Sequence, residues 1–188
     1  MNINLTVIDD FLTLEECNLL ISLKKDSLAR STVVDNDTFK GVQHDARTSE
    51  GAFFKKHENE LITFISHRLA WLTRTNHEQQ EGFQFLHYGI DEQYKYHHDY
   101  FKNDDPALER GGNRIFTALL YLNSPDLGGE TYLPHYHKIV EAKAGRLVYW
   151  RNLDDNFQKI EESLHAGLPV ISGEKYCMPV WIRQSEFI

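Results

Sequence analysis

Four side chains in the second half of the chain have the types and spacing to do chemistry: His97 and Asp99 in YKYHHDYF, and His165 and Lys175 in SLHAGLPVISGEK. Two imidazoles and one carboxylate make a three-donor set that fills one face of an octahedral ion and leaves the other face open. That arrangement suits a non-haem Fe(II) centre. In a strand, positions i and i+2 project from the same face, so His97 and Asp99 are expected to reach one ion while His98 points away. Lys175 follows the second imidazole in the same segment and adds a cation that could hold the far carboxylate of a metal-bound 2-oxo acid. A buried ammonium needs such a partner as much as a buried carboxylate needs a cation.

Spacing alone decides little. About 0.7 His-x-Asp pairs are expected by chance at background composition, and a lone histidine before a turn, such as His165, is more often a surface residue. A rival donor set lies in GGETYLPHYHKIVE, where Gly129, His135, His137 and Glu141 have the spacing of a first cupin motif. The glycine that should close that motif is missing, because Gly145 arrives too early, so His135 and His137 are expected to be exposed loop residues. No GxSxG elbow, Walker loop or dinucleotide fingerprint is present.

The elements that must position these groups divide at about residue 81 of a single domain spanning 1–188. Helical support is expected over about 1–80. Thr13 and Glu16 form a capping box ahead of a stripe of Leu19, Leu20 and Leu23. A second helix is expected from about Glu58 to Trp71, with Leu61, Ile62, Ile65 and Leu69 at helical spacing. Beyond Glu81, β-prone runs alternate with turn formers: FQFLHY, QYKYHHDY, RIFTALLYL, ETYL, RLVYW and KYCMPVWI. Helices followed by many short strands predict a mainly β chain with supporting helices, a sandwich or barrel in class α+β. Pro179 in the last run predicts an edge strand or a bulge.

A net charge of −8, from 28 acidic and 20 basic residues, gives no general attraction for phosphate backbones, so nucleic acid is not an expected partner. The start of the chain, MNINLTVIDD, lacks the basic and apolar regions of a secretory signal. The longest apolar stretch, IFTALLYL, has the length of a buried strand and not of a membrane span. Cys17 and Cys177 are far apart without CxxC spacing, which predicts reduced, buried thiols and a cytoplasmic location.

Several blocks in order resemble the prolyl 4-hydroxylase branch of the 2-oxoglutarate- and Fe(II)-dependent dioxygenases. They are RTSEGAFF (47–54), Y-G-x-x-x-Q-Y-x-x-H-x-D-Y-F (88–101), NRIFTALLYLN (113–123), GGETYLP (128–134) and H-A-G-x-P-V-x-x-G-E-K-Y-x-x-x-x-W-I (165–182). The resemblance implies a double-stranded β-helix (jelly roll) with Fe(II) held by His97, Asp99 and His165. It places the lysine that pairs the distal carboxylate of 2-oxoglutarate at Lys175, further co-substrate contacts at Tyr88, Thr131 and Tyr121, and the lining of a proline pocket at Tyr94, Arg114 and Trp181. It also implies O2 as co-substrate and ascorbate as reductant. Tyr96, His98 and Tyr176 depart from residues common in relatives, which leaves the ligands intact and the substrate more open. Three readings follow. The first is a hydroxylase of prolyl residues in a protein or peptide, releasing succinate and CO2. The second is a hydroxylase of a free amino acid or other small molecule. The third is a 2-oxoglutarate or metal sensor without turnover, which the complete ligand set disfavours.

Overall fold

The computed structural model describes residues 5–31 and 46–188, with the backbone of 33–34 and 41–42. Its strands in chain order are β1 (Thr6–Ile8), β2 (Ala29–Arg30), β3 (Val33–Val34), β4 (Gly41–Val42), β5 (Glu50–Phe54), β6 (Phe83–Tyr88), β7 (Tyr94–His97) and β8 (Arg114–Tyr121). They continue as β9 (Leu127–Gly128), β10 (Thr131–Leu133), β11 (Lys138–Val140), β12 (Leu147–Arg151), β13 (His165–Gly167), β14 (Val170–Ser172) and β15 (Lys175–Arg183). Two α-helices, α1 (Leu14–Lys24) and α2 (Glu60–Thr73), precede the β-rich half.

A major sheet in the order β1-β12-β8-β15-β6-β5-β2 faces a minor sheet β11-β10-β13-β7, and together they form the double-stranded β-helix. The major sheet is buried on both faces. Along β8, Ala118 and Leu120 join the core shared with the helices, while Leu119 and Tyr121 turn into the space between the sheets. Period-2 alternation thus serves two cores, and the strand reads as a nearly continuous apolar run. Burying each large side chain in these layers stabilises the fold by about 1.5–3 kcal/mol.

The helices cover the outer face of the major sheet. Thr13 caps α1 as expected: its hydroxyl accepts from Glu16 N–H at 3.1 Å and Glu16 Oε2 accepts from Thr13 N–H at 2.8 Å. The expected leucine stripe is not the packed face, however. Cys17 and Leu20, three residues apart, point inward, whereas Leu19 and Leu23 are 48% and 50% exposed. Helix α2 starts and ends two residues later than expected, between the Asn59 cap and the left-handed Arg74. Ile62, Ile65 and Leu69 on it are fully buried.

The first third also supplies strands, since β1 pairs with β12 and β5 with β6. Strand β15 lies between β8 and β6, so Pro179 is neither at an edge nor at the strand's irregularity, which falls at Ile182/Arg183. Leu122 N–H donates to Tyr176 O, which fixes the hydrogen-bonded positions and leaves Pro179 at a non-hydrogen-bonded one opposite Leu119. The prolyl nitrogen therefore faces β6, where the ladder is confined to Lys175–Cys177, and no bond is lost. Among the described residues no helix is long and apolar enough to cross a membrane.

Candidate metal centre and co-substrate cavity

Register brings the two imidazoles together. Strands β7 and β13 pair antiparallel with His165 directly opposite His97, and the ring centroids stand 4.2 Å apart. Asp99 completes the set from a bend just beyond β7, so its approach comes from a turn of the chain and not from strand alternation as expected. That turn is tied down across the site: His98 Nε2 donates to Glu161 O at 3.0 Å, and Tyr100 OH donates to Glu161 Oε1 at 3.0 Å. One donor atom each from His97, Asp99 and His165 lies within 4.8 Å of the others.

Backbone carbonyls set the tautomers. His97 Nδ1 donates to Lys95 O at 2.8 Å and His165 Nδ1 donates to Ser163 O at 2.9 Å. Each Nε2 is left with its lone pair turned to Asp99, at 3.5 Å from Oδ1 and from Oδ2 respectively. This is the outer support that metal-binding imidazoles require. Burial, reinforced by the neighbouring His97, pushes His165 down to about 4, so its ring is neutral and able to ligate at neutral pH. Burial of Asp99 opposes its ionisation, but His165, His97 and Arg114 outweigh it and hold the carboxyl well below the usual carboxylate range. A further brace comes from β8 and the residue after β12. Thr117 Oγ1 donates to Asp99 Oδ2, and Asn152 Nδ2 in turn donates to Thr117 Oγ1.

The ligands open into a cleft lined among others by Arg47, Tyr88, Tyr94, Thr131, Lys175 and Trp181. Lys175, the first residue of β15, is 2% exposed and pairs in register with Tyr88, over whose ring its ammonium sits at 4.8 Å. Among the described residues no carboxylate lies within salt-bridge distance of it, and burial pushes its pKa down. A buried cation beside an open metal face is a receptor for a carboxylate. Arg47 adds a second positive charge; it donates to Gln84 Oε1 at 2.8 Å and lies over Tyr94, which itself stacks on His97 at 3.6 Å. With one carboxylate against two cations and a divalent ion, the cleft suits a dianionic chelator. The donor set and its surroundings thus fit Fe(II) and a 2-oxo dicarboxylate.

Two expected residues do not line the cleft. Tyr121 is wholly buried behind Thr131 and donates to its Oγ1 at 2.6 Å, so it orients that hydroxyl from outside the cleft lining. Arg114 is held in a two-pronged contact with Glu81 at 2.6 and 2.9 Å and stacks on Trp181 at 3.7 Å, so it backs the wall of which Trp181 is the surface. Conversely, Arg47, Thr117, Trp150 and Asn152 were not singled out from the sequence. Arg47 stood inside the RTSEGAFF block, whereas Thr117, Trp150 and Asn152 carry no spacing signal. His135 and His137 are exposed, as expected.

Residues 83–183 match the model of the 2OG-Fe(II) oxygenase superfamily. The chain is 35% identical over 201 residues to a protein named probable prolyl 4-hydroxylase 8 of Arabidopsis thaliana, covering 96% of this chain and 69% of that protein. It is 36% identical to prolyl 4-hydroxylase 5 of the same plant, over 96% of this chain and 68% of the relative. Among solved structures, the 2OG complex of a viral collagen prolyl hydroxylase from Paramecium Bursaria Chlorella virus-1 superposes with a TM-score of 0.76 and 29% identity, covering 95% of this chain and 94% of that one. With its jelly-roll core, its His-Asp-His cluster and these matches, the chain belongs to the 2OG-Fe(II) oxygenase superfamily.

Proposed function

We propose that this protein hydroxylates prolyl residues of a protein or peptide, using Fe(II), 2-oxoglutarate and O2, with ascorbate as reductant. The observation that carries this reading is the aromatic wall beside the three-donor set. Tyr94 and Trp181 line the same cleft as His97, Asp99 and His165 and suit the compact, apolar ring of proline. The relatives bear the name prolyl 4-hydroxylase over almost the whole of this chain.

Bound by His97, Asp99 and His165, Fe(II) with its co-substrate supplies the oxidation of an unactivated C–H, with succinate and CO2 released. The protein's own residues do the positioning. Lys175 binds the distal carboxylate of 2-oxoglutarate by charge. Thr131 receives the Tyr121 proton on its oxygen, which frees its own O–H to donate to the same carboxylate. Trp181 Nε1 is sealed from solvent and, among the described residues, has no hydrogen-bond partner, so the indole meets the substrate with its apolar face. Arg114 and Glu81 hold the indole in place from behind. Leu86 and Leu119 keep part of the wall dry.

Mass spectrometry of proline-containing peptides incubated with enzyme, Fe(II), 2-oxoglutarate and ascorbate tests the proposal. Addition of one oxygen to a prolyl residue, matched by succinate, is the expected result. Efficient oxygenation of a free amino acid with none on any peptide would replace it with the small-molecule reading.

A further inference from the structure

A second cluster of metal-binding side chains lies on the far side of the major sheet, around α2. His57 precedes the helix, His67 is on its exposed face, and His77 opens the turn that follows it. Their ring centroids are 4.4 Å (His67–His77), 5.3 Å (His57–His77) and 6.5 Å (His57–His67) apart. These distances bracket about 5 Å, the separation of ring centres when imidazoles surround one tetrahedral ion at Zn–N of about 2.0–2.1 Å.

The surrounding hydrogen bonds decide which nitrogens carry lone pairs. Thr63 gives its hydroxyl proton to Asn59 O at 3.0 Å, so its oxygen accepts from His57 Nδ1–H at 3.3 Å and His57 Nε2 is left unprotonated. Glu78 Oε1 stands 3.1 Å from His77 Nε2 as an ion-pair partner, which favours hydrogen on Nε2 and leaves Nδ1 to carry the lone pair of the neutral ring. That Nδ1 is sealed from water and, among the described residues, has no hydrogen-bond partner. A carboxylate on one nitrogen and an unsatisfied lone pair on the other is the arrangement of a metal-binding histidine with its outer support. Among the described residues no hydrogen bond or ion pair engages a His67 nitrogen, and its ring packs on His77.

We propose that His57, His67 and His77 form a second metal site, for a borderline-soft divalent ion such as Zn(II), separate from the oxidation chemistry. Imidazole donors favour Zn, Cu and Ni over Mg or Ca. Among the described residues only the His97–Asp99–His165 set already has its donor atoms within 4.8 Å. The second cluster closes by rotation of His57 and His67, which are both exposed. The bound ion would clamp α2 to the segments on either side of it.

The test is the number of Zn(II) ions per chain, measured by equilibrium dialysis and elemental analysis on the full metal-stripped chain. Wild type should bind two, His67→Ala one, Asp99→Ala one, and the double variant none; Mg(II) should not compete at the site that Asp99→Ala retains. In the Asp99→Ala chain, excess Zn(II) should raise Tm by about 5–10 °C, and adding His67→Ala should remove that rise. His67→Ala alone should keep full turnover. Loss of all Zn(II) binding in Asp99→Ala, or two ions still bound by His67→Ala, overturns the proposal. One ion on wild type that survives Asp99→Ala but not His67→Ala would support this site and count against the oxidation site instead.

Discussion

Thr117 Oγ1 lies 2.6 Å from Asp99 Oδ2 and has no choice about the direction of its proton. The Asn152 amide already donates to the Thr117 oxygen at 2.8 Å, so the hydroxyl must donate onward to the carboxylate. The chain Asn152–Thr117–Asp99 is buried throughout, where a directed hydrogen bond is strengthened by the low dielectric. Replacing Thr117 with Val should lower Fe(II) affinity about 10–100-fold, with Thr117→Ser restoring most of it. An iron titration of the three proteins checks this, and equal affinities would remove Thr117 from the site's support.

The ligands themselves should behave as a unit. His165→Ala should abolish Fe(II) binding and coupled turnover while the fold, followed by circular dichroism, stays largely intact. His135→Ala with His137→Ala should change neither, because both rings are exposed. Iron affinity that tracked the second pair would reject the His97–Asp99–His165 assignment.

Lys175→Ala should weaken 2-oxoglutarate binding by about 2–5 kcal/mol, the range for breaking a buried charge pair. That corresponds to a rise in the co-substrate Km of roughly 30-fold to several thousand-fold. An unaltered Km would show that the distal carboxylate is held elsewhere, and Arg47 would be the next residue to replace.

Trp181→Ala should reduce peptide-dependent turnover far more than the slow peptide-independent decarboxylation of 2-oxoglutarate. Only the former needs the proline ring held beside the iron. Comparing succinate formed with and without peptide separates the two, and an equal fall in both would make Trp181 structural.

Glu81 is the shared partner of Arg114 and Arg183, with Nε–Oε1 distances of 2.6 Å to each. Burial raises its pKa, but the two guanidiniums outweigh that and leave it lowered. A carboxyl whose folded pKa lies below its unfolded value contributes stability above the unfolded value, about 4.3, and loses it as pH falls through the folded one. Glu81→Gln should therefore destabilise the protein by about 3–5 kcal/mol at pH 7. Denaturant melts at pH 7 and pH 3 should show the gap between the two proteins narrowing in acid.

Much of the β core was legible because its strands alternate and its turns carry glycine: FQFLHY and RIFTALLY appear where expected. What escaped depended on partners far along the chain. Nothing local tells Leu19 from Leu20, since only the sheet beneath decides which of two adjacent leucines is covered. Pro179 looked like an edge because proline lacks a donor, yet the neighbouring ladder had lapsed where that donor would have pointed. The four proposed site residues were marked by spacing and by the family blocks. Thr117 and Asn152 were not, because a threonine on a strand and an asparagine beyond one are ordinary until their distance to Asp99 is known. Tyr121 and Arg114 stand one layer behind the cleft lining, as sequence gives a residue's neighbourhood and not its depth.

His97 and His165 each lean on a carbonyl two residues earlier in their own segment, Lys95 and Ser163. The aim of each ring is therefore written into its own stretch of main chain, which no side-chain replacement nearby can delete. Such a centre tolerates drift around it. Tyr96, 56% exposed between Lys95 and His97, can be exchanged without turning the imidazole beside it. The oxidising centre can stay constant through a lineage while exposed positions beside it, such as 96, are rewritten.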